Sequence, residues 1–196
     1  MKNYIYDIWA KFLTWFGKIK VFFLFNFIPI LVYDPDPNYV SGYDIQDIMK
    51  LVEPGDVLIR GYNKYLDGKF IPDEKGYSHA GLYIGSNEMV HAVSPCVEKT
   101  HIIDFCSADR IMVLRPKDGQ KDAIETGLAK VGIPYDFDYK SDIGKLYCFE
   151  LIATCYPWAA METHQVKKMF GLIKRDCFIA KSIYQNDFFK PIYERN

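Results

Sequence analysis

Histidine is scarce in this chain, with four in 196 residues, so each one carries information. Paired metal-binding cysteines are missing altogether. The five cysteines, at 96, 106, 148, 155 and 177, contain no Cys-x-x-Cys, which argues against a zinc ribbon. Their number is odd, so they cannot all pair within the chain; reduced thiols and a cytoplasmic setting are the simplest expectation. Neither sign of charge is in excess. Lys and Arg number 24, Asp and Glu 25, and a net charge of −1 removes any global argument for a nucleic-acid partner. The longest apolar run, residues 21–33, falls short of the about twenty that a membrane-spanning helix needs, and Asn26 and Pro29 interrupt it. Asp34-Pro35-Asp36-Pro37 follows that run instead of a small-residue cleavage site, so no cleavable signal peptide is expected. Internal repeats and low-complexity tracts are absent too.

What is present is a folding composition. Apolar residues make up 49% and aromatics 16%, enough for one domain with a sizeable core. Residues 1–20 repeat apolar side chains at three- and four-residue intervals and predict a helix. Residues 1–33 are an amphipathic, apolar N-terminal segment open to three readings: an interfacial membrane helix, a helix docked on the domain or on another copy, and a signal-anchor. Residues 34–43 read as a linker and 44–196 as the main domain. Within that domain the pattern predicts a helix over 44–52, a strand at 57–60, an exposed loop over 61–76 that could cover a site, a strand near 97–105, a strand at 111–116 and a helix over 119–131. Residues 162–175 form a basic stretch, and the aromatic tail 177–193 packs on the core.

Two stretches carry chemistry. Tyr77-Ser78-His79-Ala80-Gly81-Leu82-Tyr83-Ile84-Gly85 continues through a turn to His91, and reads as strand, turn, strand. A hairpin of this kind brings His79 and His91 onto neighbouring strands. Downstream, Tyr147-Cys148-Phe149-Glu150-Leu151-Ile152 starts a helix, with Cys148 in its first turn. There the helix dipole, with a nearby imidazolium, lowers a thiol pKa. A thiolate, a base and a polar group orienting the base are the parts of nucleophilic cysteine catalysis.

Other roles compete for the same residues. Glu88 and, less directly, Glu98 rival His91 as the group that orients His79. Cys155 lies two helical turns past Cys148 and reads as core. Cys96, Cys106 and Cys177 read as structural, His101 and His164 as surface. Tyr135 and Asp136 shape a wall or turn, and Glu150 supports the Cys148 helix. His79, His91 and Cys148 could also form a three-ligand zinc site, but no further acidic ligand is evident and no cofactor or metal is expected.

The ordered set Gly55-Asp56-Val57, Ser78-His79-Ala80-Gly81, His91, Pro134-Tyr135-Asp136-Phe137 and Tyr147-Cys148-x-Glu150-Leu151 resembles the circularly permuted, YiiX-like branch of the NlpC-type papain-like cysteine hydrolases. Lecithin retinol acyltransferase-like enzymes share its His-before-Cys order. Phe149 departs from the family pattern, which has Ser there. The resemblance spans about residues 55–157. It implies an α+β, permuted papain-like fold in which an antiparallel sheet packs on the helix that starts at Cys148. It also implies Cys148 as nucleophile, His79 as general base, His91 as its orienter, Tyr147 in the oxyanion region or site wall, and no cofactor or metal. The expected reaction is amide cleavage through a thioester, in the manner of a peptidase or amidase, on cell-wall peptides among other amides. A lipid-directed acyl hydrolase or acyltransferase, delivered to a membrane surface by residues 1–33, is the rival enzyme. A non-catalytic acyl- or peptide-binding module is the rival from another class. The oligomeric state is left open.

Overall fold

The structure is a computed structural model and describes residues 8, 11–12, 19–24, 28–33, 39–62, 73–139, 144–168 and 173–195. Its centre is a six-stranded sheet, antiparallel throughout, in the order β10-β7-β3-β4-β5-β6. These strands are β3 Val57–Gly61, β4 His79–Gly85, β5 Glu88–Ala92, β6 Val97–His101, β7 Arg110–Pro116 and β10 Phe189–Arg195. The helices are α1 Gly42–Leu51, α2 Ile102–Cys106, α3 Gln120–Ala129, α4 Cys148–Cys155 and α5 Lys181–Tyr184. This is the α+β architecture that the resemblance implies.

Alternation along the strands builds two cores. Val57 and Ile59, Ala80 and Leu82, Val90 and Ala92, Met112 and Leu114 face α3 and α4. The intervening Leu58, Tyr83, Met89, Ile111 and Val113 face α1 and α2. Successive side chains of a strand point to opposite faces, so a sheet covered on both sides shows no polar alternation. Helix α4 contributes Phe149, Leu151, Ile152 and Cys155 to the first core, all fully buried. Each large apolar side chain of this kind stabilises by about 1.5–3 kcal/mol.

Two polar ties hold the sheet's frame. Asp56, itself buried, takes both Nε and Nη2 of Arg115 at 3.0 and 2.9 Å, joining the start of β3 to β7. Tyr156, at the end of α4, donates its hydroxyl proton to the Gly55 carbonyl. The Pro-Gly-Asp that precedes β3 is therefore a structural joint. Pro191 sits in edge strand β10, where a register shift follows it and the missing N–H is tolerated.

Several boundaries differ from expectation. The helix predicted over 1–20 does not run through its end: Ile19 and Lys20 belong to β1, Ile19–Leu24, although Ile8, Lys11 and Phe12 are helical. The apolar run forms a hairpin with β2, Ile28–Tyr33, in a two-stranded sheet of its own. A continuous Val, Ile and Phe run suits strand as well as helix, and here the β-branched and aromatic content prevails. No helix among the described residues is long and apolar enough to cross a membrane. The packed domain begins inside the segment read as a linker: Val40 is buried and donates its N–H to Ala108 O, and Ser41 with Asp44 forms a capping box that starts α1 at Gly42. The basic stretch is a second hairpin, β8 His164–Lys168 with β9 Ile173–Cys177. The strand expected to reach 105 ends at His101, where α2 begins. Residues 63–72 of the loop read as a cover lie outside the described residues, as do 34–38 of the linker.

Candidate active site

The hairpin carrying the histidines turns through Ser86 and Asn87, both in the left-handed region at φ 53° and 63°. That is the two-residue turn whose twist matches paired strands. It sets Gly81 opposite His91 in the β4–β5 ladder, with His79 two residues further along β4. Gly81 has a specific duty. A Cβ there would sit 2.6 Å from the Phe105 ring, so glycine lets that ring pack under the hairpin. Phe105 then contacts both imidazoles, with ring centroids 5.6 Å from His79 and 5.6 Å from His91.

The two histidines are joined directly. His79 Nε2 and His91 Nδ1 lie 2.8 Å apart, a hydrogen bond whose donor depends on the tautomer. Behind His91, the Glu98 carboxylate stands 3.7 Å from Nε2, which makes no hydrogen bond of its own. Glu98, weighed as a rival to His91, is thus placed behind it. Glu88, the other rival, is in an ion pair with Lys99 at 3.1 Å.

Cys148 is the first residue of α4, after an extended Tyr147. It is 2% exposed. Its thiol makes a long contact, 4.0 Å, to the carbonyl of Ser78, the residue before His79. Backbone hydrogen bonding from Ala80, the residue after His79, also reaches it. The thiol therefore lies against the main chain on both sides of His79, and its hydrogen-bond partner is that main chain and not the imidazole. The expected lowering of the thiol pKa is reversed. Burial pushes Cys148 up to about 12; backbone hydrogen bonds from Ala80, Phe149 and Cys148 itself, then the Arg60 charge, pull the other way without prevailing. Desolvation of a nearly enclosed thiolate outweighs one short helix's dipole. His79 is held well below the usual imidazole range by burial, then by Arg60 and His91. Burial, then Arg60, lowers His91 to about 3. The resting site is a neutral thiol beside two neutral imidazoles.

Tyr147 is anchored at the start of α4. Its hydroxyl accepts the Phe178 N–H at 2.7 Å, and its ring stacks near Tyr139 at 4.8 Å between centroids. It ties the start of α4 to the segment after β9. Cys155 and Cys177 are buried in the core that α4 packs against, Cys106 in the other, and Cys96 is partly buried; none of the five is in a disulfide. His101 caps α2 through Nδ1. Asp136 is buried and accepts the Asp138 N–H in the turn before α4. Among the described residues no group of three His, Cys, Asp or Glu side chains is placed to hold an ion. The facing nitrogens of His79 and His91 are engaged with each other.

Arg60 is the site residue that sequence reasoning missed. It pairs with His79 across the β3–β4 ladder. Only that register, invisible in a short strand read alone, singles it out.

The model of the permuted papain-like amidases, the YaeF/YiiX or C92 family, matches residues 51–182, well over half of the chain. The chain belongs to that family. The chain's relatives include protein OPG091 of vaccinia virus strain Copenhagen, 28% identical over 72% of this chain and 85% of that protein. OPG091 of variola virus is 27% identical over the same shares, and that of monkeypox virus 26% identical over 60% and 72%. Among solved structures, metalloprotein yiiX from Escherichia coli O157:H7 superposes with a TM-score of 0.62 at 15% identity, covering 73% of this chain and 97% of that one. At that identity the likeness speaks for the fold, which is the permuted papain-like one.

Proposed function

We propose that this amidase-family protein cleaves an amide through a thioester acyl-enzyme, with Cys148 as nucleophile and His79 as general base. The observation that carries the reading is the arrangement at the start of β4: the thiol at the head of α4 rests against the main chain flanking His79, and His79 is hydrogen-bonded to His91 at 2.8 Å. Protons have a consistent path. If His91 carries its proton on Nε2, toward Glu98, then its Nδ1 accepts from His79 Nε2–H. The lone pair of His79 Nδ1 is then free to act as base. His79 takes the Cys148 proton as sulfur attacks the carbonyl carbon. The Cys148 N–H faces the developing oxyanion. His79 then protonates the departing amine, and water releases the acyl group. Because the resting pair is neutral, proton transfer accompanies attack and no preformed thiolate is needed.

A panel of N-acyl amino acids and peptide amides tests this, with amine release measured for wild type, Cys148→Ala and His79→Ala. Turnover of some member by wild type and by neither variant supports the reading. Equal rates for all three proteins refute it. A lipid-directed acyl hydrolase or transferase is a second reading, favoured by one observation: Ile28 and Ile30 of the N-terminal hairpin are exposed, at 43% and 40%. Deletion of residues 1–33 then abolishes partition onto phosphatidylcholine vesicles together with acyl transfer, whereas a soluble amidase keeps its activity on small amides.

A further inference from the structure

Among the described residues, Arg60 has no acidic partner. It sits on β3 directly across from His79. Its Nη1 donates to Asp104 O at 3.2 Å and Phe105 O at 2.7 Å, at the end of α2. Its guanidinium carbon lies 4.6 Å from the Phe105 ring centroid and 5.4 Å from that of Tyr62. Nε is shut off from solvent with no hydrogen-bond partner. Among the described residues no carboxylate forms an ion pair with it. The arginine is therefore fixed by carbonyls and rings, with no carboxylate among the described residues to offset its charge. Enclosing a charge without a counter-ion is expensive, and such a charge in a site commonly sets the ionisation of its neighbours.

We propose that Arg60 is a positioning residue of this site: fixed on the Phe105 ring that both imidazoles touch, it keeps His79 and His91 unprotonated, so that His79 still accepts the Cys148 proton in acid. The inference rests on the reading of His79 as base. Phe105 is the common platform, holding Arg60, His79 and His91 around a single ring. The other titratable groups facing the pair are few. Cys106 on α2 is held as a thiol by burial, which pushes it up to about 12, and Cys148 on α4 is likewise a thiol. Tyr62 stacks on the arginine itself. Glu98 on β6 opposes Arg60 in sign, but it is exposed and stands behind His91 rather than beside His79. A like charge nearby disfavours a second one, so Arg60 adds to burial in the same direction.

Histidine ring titrations by NMR on the full chain separate this role from burial alone, and from catalysis. In wild type, both His79 and His91 titrate well below the ordinary value of about 6.5. In Arg60→Met both midpoints rise by about one pH unit or more, whereas Arg60→Lys, which keeps the charge, leaves them low. The proposal is overturned if the two rings titrate identically in Arg60→Met and wild type, since burial then suffices. It is equally overturned if His79 titrates near 6.5 in wild type, a result that needs no variant to fold. Neither outcome depends on turnover, so a protein lacking amidase activity leaves this test intact.

Discussion

The two ends of helix α4 carry one cysteine each, seven residues apart on one face, and they differ in an instructive way. Cys148 at the first residue is 2% exposed and Cys155 at the last is fully buried. Burial pushes both thiols up to about 12. What separates them is what faces the sulfur. Around Cys148 stand the main chain on both sides of His79, its own N–H and that of Phe149, and the charge of Arg60. Around Cys155, Lys130 is the group that opposes burial, and the sulfur packs near Gly127 and the inner core. Exposure does not separate the two thiols here; the backbone donors at the helix start and the strand that carries His79 do, and these are what the proposed nucleophile needs.

The largest effect that sharpens this contrast is Cys148→Ala, which removes acyl-enzyme formation altogether, while Cys155→Ala keeps it and loses about 1–2 kcal/mol of stability. Chemical denaturation alongside mass spectrometry of the acylated protein reads both. His79→Ala comes next, slowing acylation of Cys148 by about 10²–10⁴-fold. His91→Ala gives a smaller loss, because His79 keeps its place on Phe105. A stopped-flow comparison of the two variants fails to support the assigned order if His91→Ala is the worse.

Acid sensitivity is the third expectation. The folded values of His79 and His91 lie below the unfolded one, so their contribution to stability is complete above about pH 6.5 and is lost as pH falls below it, for His91 toward about 3. Unfolding free energy should then drop by up to about 1.4 kcal/mol per pH unit for each histidine in that window. The slope flattens in His91→Gln. The buried thiols act at the other end, where raised folded values withdraw stability as pH climbs past about 8.5. The most local change is Gly81→Ala: its methyl group drives into Phe105, for about 1–3 kcal/mol, and loosens the His79–His91 contact beyond what a remote core substitution does. An altered pair of histidine ring signals in this variant, with α4 signals unmoved, shows the damage to be local.

Much of this was legible in the sequence. Alternation through 79–85, a Ser-Asn turn and a second strand to His91 carry local information, and so does a polar-to-apolar switch at Cys148. The helix near 119–131 and the strand near 111–116 fall where their periodicities put them, as α3 and β7. The failures have physical causes. Residues 19–33 are apolar at nearly every position, so no period separates helix from strand, and the hairpin follows from pairing between Ile19 and Tyr33. The basic stretch is a hairpin because Val166 and Cys177 anchor it in the core, a tertiary fact. Arg60 was hidden because its meaning comes from a partner nineteen positions away on another strand. The thiol's raised pKa depends on enclosure by elements distant in sequence, whereas a helix start is local and pointed the other way.

The most direct test of the account is a site-resolved acylation with p-nitrophenyl acetate at neutral pH, read by peptide mass spectrometry in wild type and in His79→Ala. The account predicts one acetyl group, on Cys148, its formation largely lost in His79→Ala, with Cys155 unmodified in both. Acetylation of Cys148 at the same rate with and without His79, or no preference for Cys148 over Cys155, would contradict it.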